Sequence, residues 1–170
     1  ATNAFSQNGR NWDRPMQLKR CSISIKADPF TATTFIEMEF YNPNKQEIEG
    51  LYTFQLQPGQ AITAFQLDLN GKLRDGSIEE RWKAANAYNT IVGKRIDPAL
   101  LQMDGINHYS LRIYPIAPHS TRRITMTIKQ LLVINNNHLE YHLPLNIKDT
   151  TVDFRSDISV TGTGRPFMNK

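Results

Sequence analysis

The stretch RIDPALLQMDGINHYSLRIYPIAP, Arg95 to Pro118, gathers two carboxylates, Asp97 and Asp104, and an imidazole, His108. These are the ingredients of general acid–base chemistry, which needs titratable groups whose surroundings push their pKa values apart. Each also has a local explanation without catalysis. Asp97 precedes Pro98, the pattern of a helix N-cap followed by proline at the first helical position, so Ala99-Leu100-Leu101 can make a single turn. Asp104 precedes Gly105, a turn signal that would reverse the chain into the next strand. Arg112 alternates with Leu111 and Ile113, an outward strand position, and His108 has no partner in the neighbouring sequence.

Two further histidines, His138 and His142, stand four apart, the spacing of a ligand pair on a helix. Leu139, Tyr141 and Leu143 alternate with them, which predicts a strand. Four strand residues span about 13 Å, too far for one metal ion. Cys21 is the one cysteine. It cannot form an internal disulfide, and its alternating neighbours predict a small buried hydrophobe rather than a reactive thiol. The sequence holds no Cys-x-x-Cys, no His-Glu-x-x-His, no calcium-loop spacing and no Gly-x-Ser-x-Gly elbow. GTGRP at 162–166 lacks the Lys-Ser/Thr of a phosphate loop. The expectation is a protein that is not an enzyme, with no catalytic, cofactor-binding or metal residues.

The elements that would position such groups read as strands. The chain has 170 residues, 39% hydrophobic and 21% charged, the profile of one soluble globular domain able to bury its own core. The net charge of +4 comes from 20 basic and 16 acidic side chains in scattered doublets, which does not make a nucleic-acid footprint. No apolar run reaches the length of a membrane span, so direct membrane insertion by this segment is not expected. Ala1 opens a polar stretch, and residues 1–18 read as a leader or linker, 19–165 as the domain and 166–170 as the start of another linker.

Within the domain, alternation predicts about nine or ten strands. CSISIKA sets Ile23 and Ile25 on one face, and TTFIEMEFY sets Ile36, Met38 and Phe40 against Phe35, Glu37, Glu39 and Tyr41. GLYTFQL ends at Pro58-Gly59. AITAFQLDL and KLRDGSI flank Asn70-Gly71, the strongest short hairpin signal. HYSLRIY sets Tyr109, Leu111 and Ile113 on one side. RRITMTIKQLLVI sets Ile124, Met126 and Ile128 against Thr125, Thr127 and Lys129. HLEYHLPL and TVDFRSDISVTG follow a turn at 135–137. One helix is predicted at about 78–93. Ser77 and Glu80 form a capping box, Ile78, Trp82, Ala85, Tyr88 and Val92 share a face, and Gly93 closes it. The fold class is mainly β: an antiparallel β-sandwich with one inserted α-helix.

From Cys21 to about Leu132 the chain resembles the VIT domain, the module of vault proteins and inter-alpha-trypsin inhibitor heavy chains. The matching pieces, in family order, are Asn42-Pro43, Glu49-Gly50-Leu51-Tyr52-Thr53-Phe54, Pro58-Gly59, the hairpin with Gly71, Ala84 to Tyr88, Asp97-Pro98-Ala99-Leu100-Leu101, Tyr114-Pro115-Ile116-Ala117-Pro118 and Arg122-Arg123. Gln55 before Leu56 departs from the proline usual there. The resemblance implies a non-catalytic β-sandwich that acts in protein interaction or as a structural part. It also implies a larger secreted, surface or membrane-anchored protein, in bacteria sometimes tied to exosortase systems. A von Willebrand factor type A domain would stand downstream, the partner would be a protein, and the location extracytoplasmic. The alternative is a carbohydrate-binding sandwich. That would need an exposed aromatic platform, for which Tyr41, Tyr52, Tyr109 and Tyr141 are the candidates.

Overall fold

The computed structural model describes residues 2–5, 14–69, 71–80, 99–136, 138–144 and 152–162. Thirteen strands are described: β1 (Thr2–Phe5), β2 (Gln17–Ala27), β3 (Thr31–Tyr41), β4 (Ile48–Gln55), β5 (Gln60–Leu69), β6 (Lys72–Asp75), β7 (Ser77–Glu80), β8 (Ala99–Gly105), β9 (His108–Ile116), β10 (Thr121–Leu131), β11 (Ile134–Asn135), β12 (His138–Leu139) and β13 (Asp153–Val160). They form a five-stranded sheet in the order β1-β4-β9-β8-β7, a six-stranded sheet in the order β13-β2-β3-β10-β5-β6, and the small β11-β12 pair. Pairing is antiparallel except at two edges, where β13 runs parallel to β2 and β7 parallel to β8.

The two large sheets face each other through residues that alternation had already sorted. Ile36, Met38 and Phe40 of β3, Ile124, Met126 and Ile128 of β10, and Leu111 and Ile113 of β9 are all buried. Cys21, Ile23 and Ile25 of β2 join them. Strand alternation puts every second side chain on one face, and the antiparallel register keeps those faces aligned across neighbouring strands. Met16 and Leu18, from the stretch read as a leader, are 1% and 4% exposed and also belong to the core.

The predicted helix does not begin where its capping box placed it. Ser77–Glu80 is strand β7, in register with Leu100 to Met103, and Ile78 is exposed. A parallel strand neighbour outcompetes the local helical cap. The remainder of that prediction, including Trp82, Ala84, Ala85, Tyr88, Val92 and Gly93, lies outside the described residues, as do Asp97 and Pro98. Ala99-Leu100-Leu101 is not a helical turn but the start of β8. The chain reverses at Ile106-Asn107 rather than at Asp104-Gly105, with Asn107 at φ 61°. HLEYHLPL gives only the two-residue β12, and residues 140–144 run on without ladder pairing.

KLRDGSI splits at Gly76, where the chain leaves one sheet for the other. A Cβ there would sit 2.5 Å from the ring of buried Phe65, so only glycine lets the crossing lie this close. The hairpin prediction holds: Leu69 faces Lys72, and Gly71 has φ 80°.

Candidate functional site

Several of the motif residues gather at one end of the sandwich, where two connections pass between the sheets. The β3–β4 connection begins at Asn42, which is fully buried. Its side-chain amide donates to the carbonyls of Gln46 at 2.7 Å, Ile116 at 2.9 Å and Ala117 at 3.1 Å. Its Oδ1 accepts from the backbone N–H of Asn44 at 2.8 Å and from the Asn44 side chain at 3.0 Å. Its backbone N–H donates to Ser120 O at 3.0 Å. One side chain thus ties β3–β4 to the β9–β10 connection, and Pro43 follows it within the first of these.

Pro115, Pro118 and Arg122 complete that joint. Pro115 sits beyond the reach of β8, whose pairing with β9 ends at Ile113, and beside a register shift against β4. A proline removes a ladder donor, and this is where no ladder bond is required. The Tyr114–Pro115 peptide is cis, and the Pro115 carbonyl accepts from Arg122 Nε at 2.8 Å. Pro118 occupies a turn closed by Ser120 N–H to Ala117 O at 3.2 Å, with His119 at φ 51°. Pro58-Gly59 makes a second such turn, with Gln60 N–H to Gln57 O at 3.1 Å and Gly59 at φ 85°. Proline at the first central position and positive φ at the second is the type II pattern. Gly50 faces inward on β4, where a Cβ would sit 2.1 Å from Met16 Sδ. Glu49 pairs with Arg112 at 3.5 Å on the outer side.

Tyr52 and Phe54 form the middle of an aromatic row. Phe40 meets Tyr52 at 5.3 Å between ring centroids, Tyr52 meets Phe54 at 5.7 Å, and Phe54 meets Tyr109 at 5.5 Å. The row lies on the inward face, in register with buried Leu111. Burial pushes the Tyr52 phenol up to about 12, with Cys21 adding to the shift, and pushes the Cys21 thiol up to about 11. A thiol held protonated is a poor nucleophile. Burial raises the Tyr141 phenol as well, against a lowering hydrogen bond with Thr34. The four tyrosines do not share one flat exposed row: Tyr52 and Tyr109 stack inward, Tyr141 bonds Thr34, and Tyr41 lies under Lys19 with its hydroxyl toward His119. Between the sheets, Cys21, Met38, Tyr52, Phe54, Met126 and Leu143 help line a cavity of about 30 Å³, room for a single water.

The outer face of the six-stranded sheet carries charge pairs that the sequence did not announce. Arg20 reaches Glu39 at 3.7 Å and Asp153 at 3.5 Å. Arg123 reaches Glu37 at 3.8 Å and Asp68 at 3.4 Å. Arg123 Nε is buried with no hydrogen-bond partner among the described residues. Glu37 and Glu39 were legible as an outward face, but their partners come from neighbouring strands β10 and β2, so only the register reveals them.

The remaining candidates for chemistry lie exposed at the surface. His138 is exposed in β12 and its Nδ1 lies 2.8 Å from Asn136 O, while exposed His142 lies 3.6 Å from Glu140. Asp104 and His108 are exposed neighbours across the β8–β9 hairpin, Asp104 lying in the register shift beside the Gly105–His108 pair. Among the described residues, no group of three or more His, Cys, Asp or Glu is placed to hold a metal ion. Among them, too, no helix is long and apolar enough to cross a membrane.

Residues 18–128 match the family described as Vault protein inter-alpha-trypsin domain, or VIT. The chain belongs to the VIT family. A von Willebrand factor A domain-containing protein of Dictyostelium discoideum is 26% identical to this VIT domain over 145 residues, covering 82% of this chain and 16% of its own length. The von Willebrand factor A domain-containing protein 5A of Homo sapiens is 23% identical over 133 residues, covering 76% and 17%. The Protein mono-ADP-ribosyltransferase PARP4 of Mus musculus is 23% identical over 130 residues, covering 76% of this chain and 7% of its own. The chain therefore spans about one-sixth of the length of the first two relatives.

Proposed function

We propose that this chain is a non-catalytic protein-interaction or structural module of a larger multidomain protein. In this reading a von Willebrand factor type A domain stands in the same polypeptide and the protein works outside the cytoplasm. The observation that carries it is the VIT match over residues 18–128 of this chain, together with relatives several times its length, two of them named for von Willebrand factor A domains. The placement of the motif supports it. Asn42, Pro115, Arg122, Tyr52 and Leu101 are spent on crossings and core, which is what a scaffold asks of them. The match to PARP4 fits the same reading, since the shared part is 7% of that transferase.

The carbohydrate-binding alternative draws no support from the tyrosines, because the stacked row turns inward. The test is affinity capture with the parent polypeptide, with and without residues 1–170, read by quantitative mass spectrometry. At least one protein partner, or one contact with a neighbouring domain trapped by cross-linking, is expected to vanish on deletion. An unchanged partner and cross-link set would overturn the reading. Micromolar binding of the isolated chain to an oligosaccharide would put the alternative in its place.

A further inference from the structure

One end of the six-stranded sheet exposes a cluster of large apolar side chains. Phe30 is 75% exposed, Leu131 74%, Val133 76% and Ile134 70%. They are neighbours through the backbone: Leu131 faces Thr31 in the β3–β10 ladder, and the Leu132 N–H donates to Phe30 O at 2.8 Å. Four such side chains present on the order of 400 Å² of apolar surface, a patch size that on a monomer commonly marks an interaction site. The turn beneath them is held in shape. Asp28 Oδ1 accepts the backbone N–H of Phe30 at 2.8 Å and of Thr31 at 2.7 Å, so Phe30 is presented on a fixed support.

The same end carries the last described strand. β13 runs parallel to β2, so Val160 ends opposite Ala27, and the Thr161 N–H donates to Ala27 O at 2.8 Å. Gly162 then lies against Pro29, 3.8 Å from where its Cβ would be to Pro29 Cγ. Along β13, Ile158 stands in register with buried Ile25 and so lies on the inward face of the sheet, apart from Leu131, which faces Thr31.

We propose that this apolar end, centred on Phe30, Leu131, Val133 and Ile134, is the seat of the folded domain that follows in the parent polypeptide, of the von Willebrand factor A kind. The inference rests on the multidomain reading above and names the surface and partner within it. Two facts favour this occupant over a free partner. The relatives are several times the length of this chain, and the chain passes Gly162 beside the patch. A domain joined to this end by a short linker would meet the patch at about a millimolar effective concentration, so a modest contact would suffice to hold it. Parallel pairing of β13 is what brings the exit to this end; an antiparallel β13 would deliver it to the opposite one.

Hydrogen–deuterium exchange compared between the 170-residue chain and its parent polypeptide tests the proposal. Amides of residues 28–31 and 131–134 are expected to exchange at least tenfold more slowly in the parent. The double variant Val133→Lys, Ile134→Lys is expected to restore the fast rates there. Both substituted side chains are exposed, so the variant of the 170-residue chain should keep its melting transition, which circular dichroism checks. Equal rates in the two wild-type forms overturn the proposal, as does a parent with no such domain after residue 170. Slowing confined to another face of the chain removes this seat but leaves the module reading standing. No slowing anywhere removes both. A 170-residue chain that sediments as a dimer, and is returned to monomer by the double variant, makes a second copy the occupant and refutes the proposal.

Discussion

Asn42 offers the most exacting test of the motif's structural role. Asn42→Ala removes the donor from the carbonyls of Gln46, Ile116 and Ala117 and the acceptor from Asn44. Water can reach the Gln46 side of the connection, which is exposed, but Ile116 is fully buried. One stranded buried carbonyl costs about 1–3 kcal/mol, and the lost Asn44 contact and the small void add to it. The expected loss is about 2–4 kcal/mol, or roughly 5–15 °C in Tm for a domain of this size. Asn42→Asp keeps the shape and the Oδ1 acceptor but turns an NH₂ into an oxygen facing three carbonyls. At neutral pH that leaves a buried charge among acceptors, at a cost of about 3–5 kcal/mol, comparable to a broken buried pair. The new carboxyl must then have a raised pKa in the folded protein. Its protonated form donates one hydrogen bond, so the variant is most stable below the unfolded value near 4 and loses stability as pH rises through the folded value. Urea melts at pH 4.5 and 7.5 decide the matter. The expected order at pH 7.5 is wild type, then Asn42→Ala, then Asn42→Asp, with the deficit of the last shrinking at pH 4.5. A loss under 1 kcal/mol in Asn42→Ala, or an Asn42→Asp deficit that ignores pH, would refute the reasoning.

Other expectations follow from the same geometry. Gly50→Ala drives a methyl into Met16, which is itself buried, and should cost about 1–3 kcal/mol in urea melts, as overpacking does. Cys21 should resist thiol reagents in the native state and react fully in 6 M guanidinium. Its raised folded pKa means that its contribution is complete below the unfolded value near 9 and is lost as pH rises toward about 11. Stability should therefore fall by about 1–2 kcal/mol between pH 8 and 10 on this account, and less so in Cys21→Ala. Arg123→Met should change stability by less than about 1 kcal/mol, because its ion pairs are partly exposed and its Nε is already unpartnered.

The sequence by itself determined what depends on nearest neighbours. Alternation sorted Ile36, Met38 and Phe40 from Glu37 and Glu39 correctly, because side chains on a strand must alternate whatever the strand pairs with. Pro58-Gly59 and Asn70-Gly71 marked turns, because φ preferences are local. The motif order pointed to the family, and burial of Cys21 was readable from its flanks. What the tertiary structure decided was everything set by partners far along the chain. Ser77–Glu80 carries a sound helix cap yet lies in a strand, because a parallel neighbour at Leu100–Met103 satisfies its backbone instead. Arg20 and Arg123 looked like scattered surface cations until register set them against Glu39, Asp153, Glu37 and Asp68. Asn42 stood in the sequence as a piece of the motif and proved to be the buried tie between two crossings. Alternation put Tyr109 on the side of Leu111 and Ile113, but its stacking with Phe54 beside Tyr52 depends on the pairing of β4 with β9. Local rules fix which face a residue takes and where the chain bends, whereas which strand lies beside it depends on the free energy of burying the whole set of faces at once.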